Sequence, residues 1–400
     1  MPGTVASARI QSLDVIRGFA ILGILLANIA TFAGPDFSRN FGAATSVDSI
    51  THLFNQGEIA LAAGKFRSSL AILFGYGLYL QFQKAEAGGK AWPQTYFRRA
   101  LLLGVLGFIH GFFIWIGDIL FSYAVVSFIA AFMVKSDERG LRWIIAGVFG
   151  LNLLFAGVFG LAAILSPEGA GSRGVEFYPF RMSDEVAAFA KGTYLDQLKY
   201  RGILWMVMTL FIVLTILPSL LALFSIGILM ARRNFLVAPS AHPKLRNGLL
   251  WAGLGLGIPL NLVAFLLPHK ALSSASIAWE LFCGPLLAVG LVTGIASLVE
   301  AGKSGFLGRM FGKVGKIALS NYILQSLLCT TFFYSWGFGY FGKLNRPQEY
   351  MVVLGVWVIN FIFSDLWLRK FDIGPVEWLW RSAVAKKKLP WRTTGLLADA

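Results

Sequence analysis

The fold class that this sequence predicts is an all-α polytopic membrane protein of about ten transmembrane helices with cytoplasmic N- and C-termini. Three observations predict it. Of 400 residues 56% are hydrophobic and 14% charged, with mean hydropathy +0.68, whereas a soluble domain is roughly a quarter charged. Charges divide the chain into apolar runs of about the 20 residues that a helix needs to cross roughly 30 Å of hydrocarbon. Lys and Arg gather on alternate connections between those runs.

Reading between charges places the spans at 13–32, 62–83, 100–116, 119–134, 143–165, 203–230, 248–267, 274–299, 317–338 and 351–368. A first apolar run without a cleavage pattern, followed by many similar runs, is a span and not a cleaved signal peptide. Arg9 and Arg17, then 84–99, 135–142, 232–246, 303–316 and 369–392, share one face. With acids assigned the same way, that face carries the whole net charge of +15 and is the cytoplasmic one. Topology thus accounts for the basic character, and no nucleic-acid-binding motif accompanies it. Membrane lipids are the expected surroundings, and the oligomeric state is left open between monomer and homo-oligomer.

The chain divides into an N-terminal five-helix region (1–166), an extracytoplasmic loop with an amphipathic helix lying on the membrane (167–200), a C-terminal five-helix region (201–371) and a cytoplasmic tail (372–400). The tail, with Trp378, Trp380 and Lys386 to Lys388, reads as an anchor on anionic lipid. A second external stretch, 37–61, reads as an interfacial helix leading into the second span. Cys283 and Cys329 both lie in apolar runs and are packing residues.

Polar residues inside spans carry the functional information, because each is costly in lipid unless paired, hydrated or used. Asp14 and Arg17 share a helix face at the cytoplasmic rim, as an ion pair or as substrate contacts, and Asn28 points the same way about three turns on. Lys65 and Arg67 begin the second span, where they either snorkel to the outer interface or face a substrate. Asn321, Tyr322 and Gln325, with Ser320 and Ser326, either glue helices together or line a site. These eight, Asp14, Arg17, Asn28, Lys65, Arg67, Asn321, Tyr322 and Gln325, are the candidate substrate-binding residues.

The sharpest feature is His110 in the third span, about 16 Å of helix beyond Arg99 and so just past mid-membrane. A hairpin closing at Gly117 lets Asp118 face the bundle interior and orient His110, the arrangement that general-base and nucleophilic chemistry uses. The alternative is a structural histidine bonded to a helix carbonyl. P-loop, dinucleotide-fold and zinc-ligand spacings are absent from the sequence, so no metal or nucleotide-hydrolysis chemistry is expected.

Several of these motifs resemble a known family. Leu13-Asp14-Val15-Ile16-Arg17-Gly18, Gly64-Lys65-Phe66-Arg67-Ser68, His110 with Gly117-Asp118-Ile119-Leu120, Ala318-Leu319-Ser320-Asn321-Tyr322 with Gln325-Ser326, and Gly374-Pro375-Val376-Glu377-Trp378 resemble the YeiB-like bacterial inner-membrane proteins and their C-terminal domain of unknown function 418. Ser69 departs from the bulkier residue expected there. The resemblance implies location in the bacterial inner membrane. The first-helix signature is similar, more distantly, to that of the transmembrane acyltransferases, including heparan-α-glucosaminide N-acetyltransferases and O-acyltransferases of bacterial surface sugars. By that analogy an acyl group passes from cytoplasmic acyl-CoA to an extracytoplasmic sugar, lipid or small-molecule acceptor. His110 is then the base or acyl carrier with Asp118 as its partner, and Arg98 and Arg99 meet the CoA phosphates. The catalytic histidine of the sugar N-acetyltransferases lies near the second span, which makes His52 the rival. Readings from other classes are a small-solute transporter and a non-catalytic lipid- or quinone-binding protein.

Overall fold

The computed structural model describes residues 10–35, 48–165, 181–267, 276 and 279–392, and among these every regular element is a helix. In chain order the elements used below are α1 (Gln11–Ala33), α2 (Ser49–Leu61), α3 (Lys65–Ala87), α4 (Gln94–Ile109), α5 (Leu120–Met133), α6 (Glu138–Leu165), α7 (Met182–Val186), α8 (Tyr194–Arg232), α9 (Pro243–Leu250), α10 (Gly257–Leu262), α11 (Gly284–Glu300), α12 (Gly305–Lys316), α13 (Ala318–Phe333), α14 (Arg346–Lys370) and α15 (Pro375–Ala385).

Among the described residues, seven stretches are long and apolar enough to cross a membrane: Gln11–Ala33, Tyr96–Ile114, Glu138–Val158, Thr215–Arg232, Pro243–Leu266, Trp279–Glu300 and Arg346–Lys370. Three further predicted spans fall on helices of a different kind. Helix α3 is long but polar toward both ends, with Lys65, Arg67, Gln81 and Lys84. Helices α5 (14 residues) and α13 (16 residues) rise only about 21 and 24 Å. Exposed apolar side chains on α6 (Trp143, Leu151, Leu154, Val158) and α14 (Met351, Leu354, Val358, Ile362) suit faces turned to lipid.

Small residues let the central helices approach backbone to backbone, as membrane helices without a hydrophobic driving force between them require. A Cβ at Gly315 of α12 would stand 1.8 Å from the Asp14 carbonyl oxygen of α1. One at Gly227 of α8 would stand 2.0 Å from the Ile72 carbonyl of α3. A Cβ at Gly107 would lie 2.3 Å from the Phe121 nitrogen, so this glycine lets α4 and α5 close as a hairpin.

Three peripheral expectations meet the structure differently. Of the 37–61 stretch, 37–47 lies outside the described residues, and the rest is α2, N-capped by Asp48, whose carboxylate accepts the Thr51 N–H at 2.8 Å. Residues 167–180 are likewise outside. In the segment that follows, Phe189 is buried against Tyr200, Tyr334 and Phe341, while Met182, Tyr194 and Leu195 are exposed. Helix α8, started by a Thr193–Asp196 capping box, runs unbroken across position 200. The tail is docked as well. Trp378 stacks on Trp391 at 4.3 Å, and buried Glu377 accepts the Leu319 N–H at 2.7 Å, capping α13 from a distance.

Candidate active site

The site is assembled where α4 ends. The last α-helical residue is Ile109, and the chain then widens into a π-helical turn, His110–Ile114, before running extended at Trp115. Such turns often accompany functional positions, because they re-aim one side chain out of helical register. Here it turns His110, fully buried, toward two partners. His110 Nδ1 lies 2.9 Å from Asp118 Oδ1, and Nε2 lies 2.8 Å from Ser326 Oγ on α13.

Asp118 is itself fixed. Its Oδ2 accepts the Phe121 N–H at 2.7 Å and so caps α5, while Oδ1 faces the imidazole. An ionised carboxylate only accepts hydrogen bonds, so with Asp118 ionised and the imidazole neutral the proton is on Nδ1 and the lone pair on Nε2. Tyr322, one turn before Ser326, packs its ring against that of His110, tilted by 47° with centroids 4.8 Å apart, and its Oη accepts the Ile119 N–H at 3.4 Å. Trp115 packs edge-on to His110, with centroids 6.4 Å apart, and stacks on Phe32.

A cavity of about 250 Å³ leads toward this cluster. The order of its lining residues along each helix gives its polarity. At the end where α1, α4 and α13 begin stand Arg17, Arg99, Lys316, Glu377 and Arg381. Deeper in come Leu70, Leu73, Phe74 and Leu103, and the far wall is Ile119, Leu120, Tyr123 and Tyr322. The cavity is thus basic at one end and mainly apolar deeper in, and Tyr322, whose ring packs on His110, lines its far wall. Arg99 stacks over Trp380 of α15 at 4.5 Å, so the docked tail forms part of the mouth.

The other sequence candidates are distributed unevenly. Arg17 lines the cavity and is bonded to Asp14 at 3.2 Å. Arg98, beside Arg99, donates to the Ala383 carbonyl at 2.7 Å and is not a lining residue. Lys65 does not snorkel. It is fully buried, with Nζ donating to the Ile59 and Ala63 carbonyls at 2.8 and 3.0 Å, because the end of α2 offers unsatisfied carbonyls there. Arg67 pairs with Glu280 at 2.6 Å. Asn321 donates to Ser364 and accepts from Asn360, both at 2.8 Å, and Gln325 donates to the Ile21 carbonyl at 3.2 Å, so these amides join α13 to α14 and α1. Asn28 lies half-buried on α1, and His52 half-buried on α2; neither lines the cavity or bonds to His110.

Sequence reading missed Ser326 as a partner of His110, as well as Lys316 and Arg381 at the mouth. The polar run 320–326 was a signal, but nothing along the chain pairs position 326 with position 110.

Comparison with known proteins places the chain. The DUF418 family, described as a protein of unknown function, matches residues 230–387. Over 401 residues the chain is 30% identical to the uncharacterized protein YxaH of Bacillus subtilis, covering 95% of each. The chain belongs to the YeiB-like DUF418 family. The uncharacterized protein YeiB of Escherichia coli is also 30% identical, over 95% of this chain and 97% of that one. A 39.9 kDa protein from the amylase 3' region of Bacillus acidopullulyticus is 26% identical over 96% of this chain. The likeness to this family thus runs nearly end to end, through both the His110 hairpin and α13.

Proposed function

We propose that the protein is a membrane-embedded acyltransferase of the bacterial inner membrane, moving an acyl group from cytoplasmic acyl-CoA to an extracytoplasmic hydroxyl or amine on a sugar, lipid or small molecule. In this reading α3, α5 and α13 complete a ten-helix arrangement with both termini, and the cavity mouth, cytoplasmic. The observation that carries it is the cavity: a basic mouth suits the phosphates of CoA, an apolar shaft suits the pantetheine arm and acyl chain, and a far-wall tyrosine packs on a buried histidine.

Asp118 holds Nδ1–H and stabilises the imidazolium that forms when Nε2 takes a proton, which leaves Nε2 for proton exchange with the reacting groups. Burial keeps water from competing for the activated acyl group.

The test uses the full-length protein in detergent with radiolabelled acetyl-CoA and mixed glycan and lipid acceptors, alongside thermal shift with CoA. Saturable stabilisation by CoA, with label appearing in an acceptor, is expected. Neither stabilisation nor transfer nor hydrolysis with any acceptor would overturn the reading.

A further inference from the structure

We infer that Ser326 is the nucleophile that carries the acyl group as an ester between donor and acceptor; the inference rests on the acyl-transfer reading and adds a covalent intermediate to it. The first support is geometric. Asp118, His110 and Ser326 form one hydrogen-bonded line, carboxylate to Nδ1 at 2.9 Å and Nε2 to hydroxyl at 2.8 Å, the order of roles that activates a serine in hydrolases and transferases on unrelated folds. With the Nδ1 proton held by Asp118, Nε2 has a lone pair to accept, and Ser326 is the donor.

The second support is a contrast with those helical hydroxyls that bond back to their own helix. Ser and Thr inside helices normally donate to the carbonyl one turn back. Ser69, Ser225, Thr293, Ser297 and Thr330 all do so, at 2.8–2.9 Å. Ser326 keeps only a long version of that bond. Its distance to the Tyr322 carbonyl is 3.4 Å, because the hydroxyl is drawn toward His110. The third support is Trp115, whose buried Nε1–H has no hydrogen-bond partner among the described residues and belongs to a ring packed on His110. A buried donor left over in this way is costly unless some state of the protein uses it, and an oxyanion beside His110 is such a state.

Ser326 Oγ attacks the thioester carbonyl reaching past Tyr322, its proton passes to His110 Nε2, the C–S bond breaks, and the CoA thiolate leaves with that proton. The acceptor hydroxyl or amine then attacks the Ser326 ester, giving its proton to Nε2. The acyl C–O bond to Ser326 breaks, and Oγ regains the proton from His110.

The experiment treats the purified full-length protein with a fluorophosphonate probe, followed by peptide mass spectrometry, in parallel with acyl transfer. Expected is a single probe adduct on the peptide containing Ser326, absent in Ser326→Ala and at least tenfold weaker in His110→Ala, with transfer reduced at least 100-fold in Ser326→Ala. Ser326→Cys guards against a folding artefact: incubated with acyl-CoA, it is expected to hold a hydroxylamine-sensitive thioester at position 326. Absence of both the wild-type adduct and that thioester, or an adduct of equal intensity in His110→Ala, would overturn the inference. Transfer by Ser326→Ala at the wild-type rate would also overturn it while leaving acyl transfer standing. An adduct at Ser326 in a protein that neither binds CoA nor transfers would keep the nucleophile and discard the acyl-CoA reading.

Discussion

The hairpin that carries His110 and the helix that carries His52 occupy two different kinds of place. His110 sits on a π-helical turn, fully buried, with both ring nitrogens bonded and a tyrosine separating it from a cavity. His52 sits half-buried on α2, a 13-residue helix that is joined to the bundle by Gln56, which donates to the Phe265 and Leu267 carbonyls, and by Phe54 against Tyr350. The two histidines differ in their partners as much as in their position. A histidine becomes a base when a carboxylate fixes its tautomer and a reacting group reaches its other nitrogen.

The largest expected effect breaks the comparison directly. His110→Ala is expected to lower transfer by about 10²–10⁴-fold while the protein still inserts and melts cooperatively, and His52→Ala to leave the rate within about twofold. Rates measured on the two purified variants decide it, and the reverse pattern would move the catalytic role to α2. At the mouth, Arg99→Ala is expected to weaken CoA about tenfold, the loss of one charge-assisted contact, whereas Arg98→Ala changes it less because that side chain is held by Ala383. Isothermal titration distinguishes them, and equal losses would mean that the mouth is misplaced.

Two glycines sharpen the comparison through stability. Gly107→Ala forces a Cβ to 2.8 Å from Asp118 Oδ2 as well as against the Phe121 backbone, and is expected to cost about 1–3 kcal/mol and to loosen the hairpin. Gly57→Ala on α2 meets nothing within 4 Å and is expected to gain about 0.5–1 kcal/mol of helix propensity. Unfolding midpoints in detergent check both signs. The smallest effect concerns pH. The Thr51 backbone N–H, and then its hydroxyl, hold the Asp48 carboxyl below its ordinary value. A depressed value means that this cap stabilises α2 above the unfolded pKa and is lost as pH falls through the folded one, so hydrogen exchange at the start of α2 should accelerate below about pH 3.9. Unchanged exchange there would show that the cap contributes nothing.

Composition, run length and the spacing of charges by themselves determined that this chain is helical and built for a membrane, because hydrocarbon leaves a backbone no other open-chain way to satisfy its hydrogen bonds. His110 and Asp118 were legible too, since an ionisable residue deep in an apolar run stands out along one dimension. The hairpin joining them was readable from Gly117 and their separation of only eight residues. The tertiary structure alone decided the rest. Ser326 meets His110 across 216 residues, Arg381 and Lys316 join Arg17 and Arg99 at one mouth, and Lys65 turns inward to the end of α2. Asn321, Gln325 and Ser326 are chemically alike in the sequence. They part company only because α13 presents one face to α14, another to α1 and a third to the π-turn of His110. Which face a polar side chain takes follows from how helices pack around small residues, a relation between distant segments that no local spacing encodes.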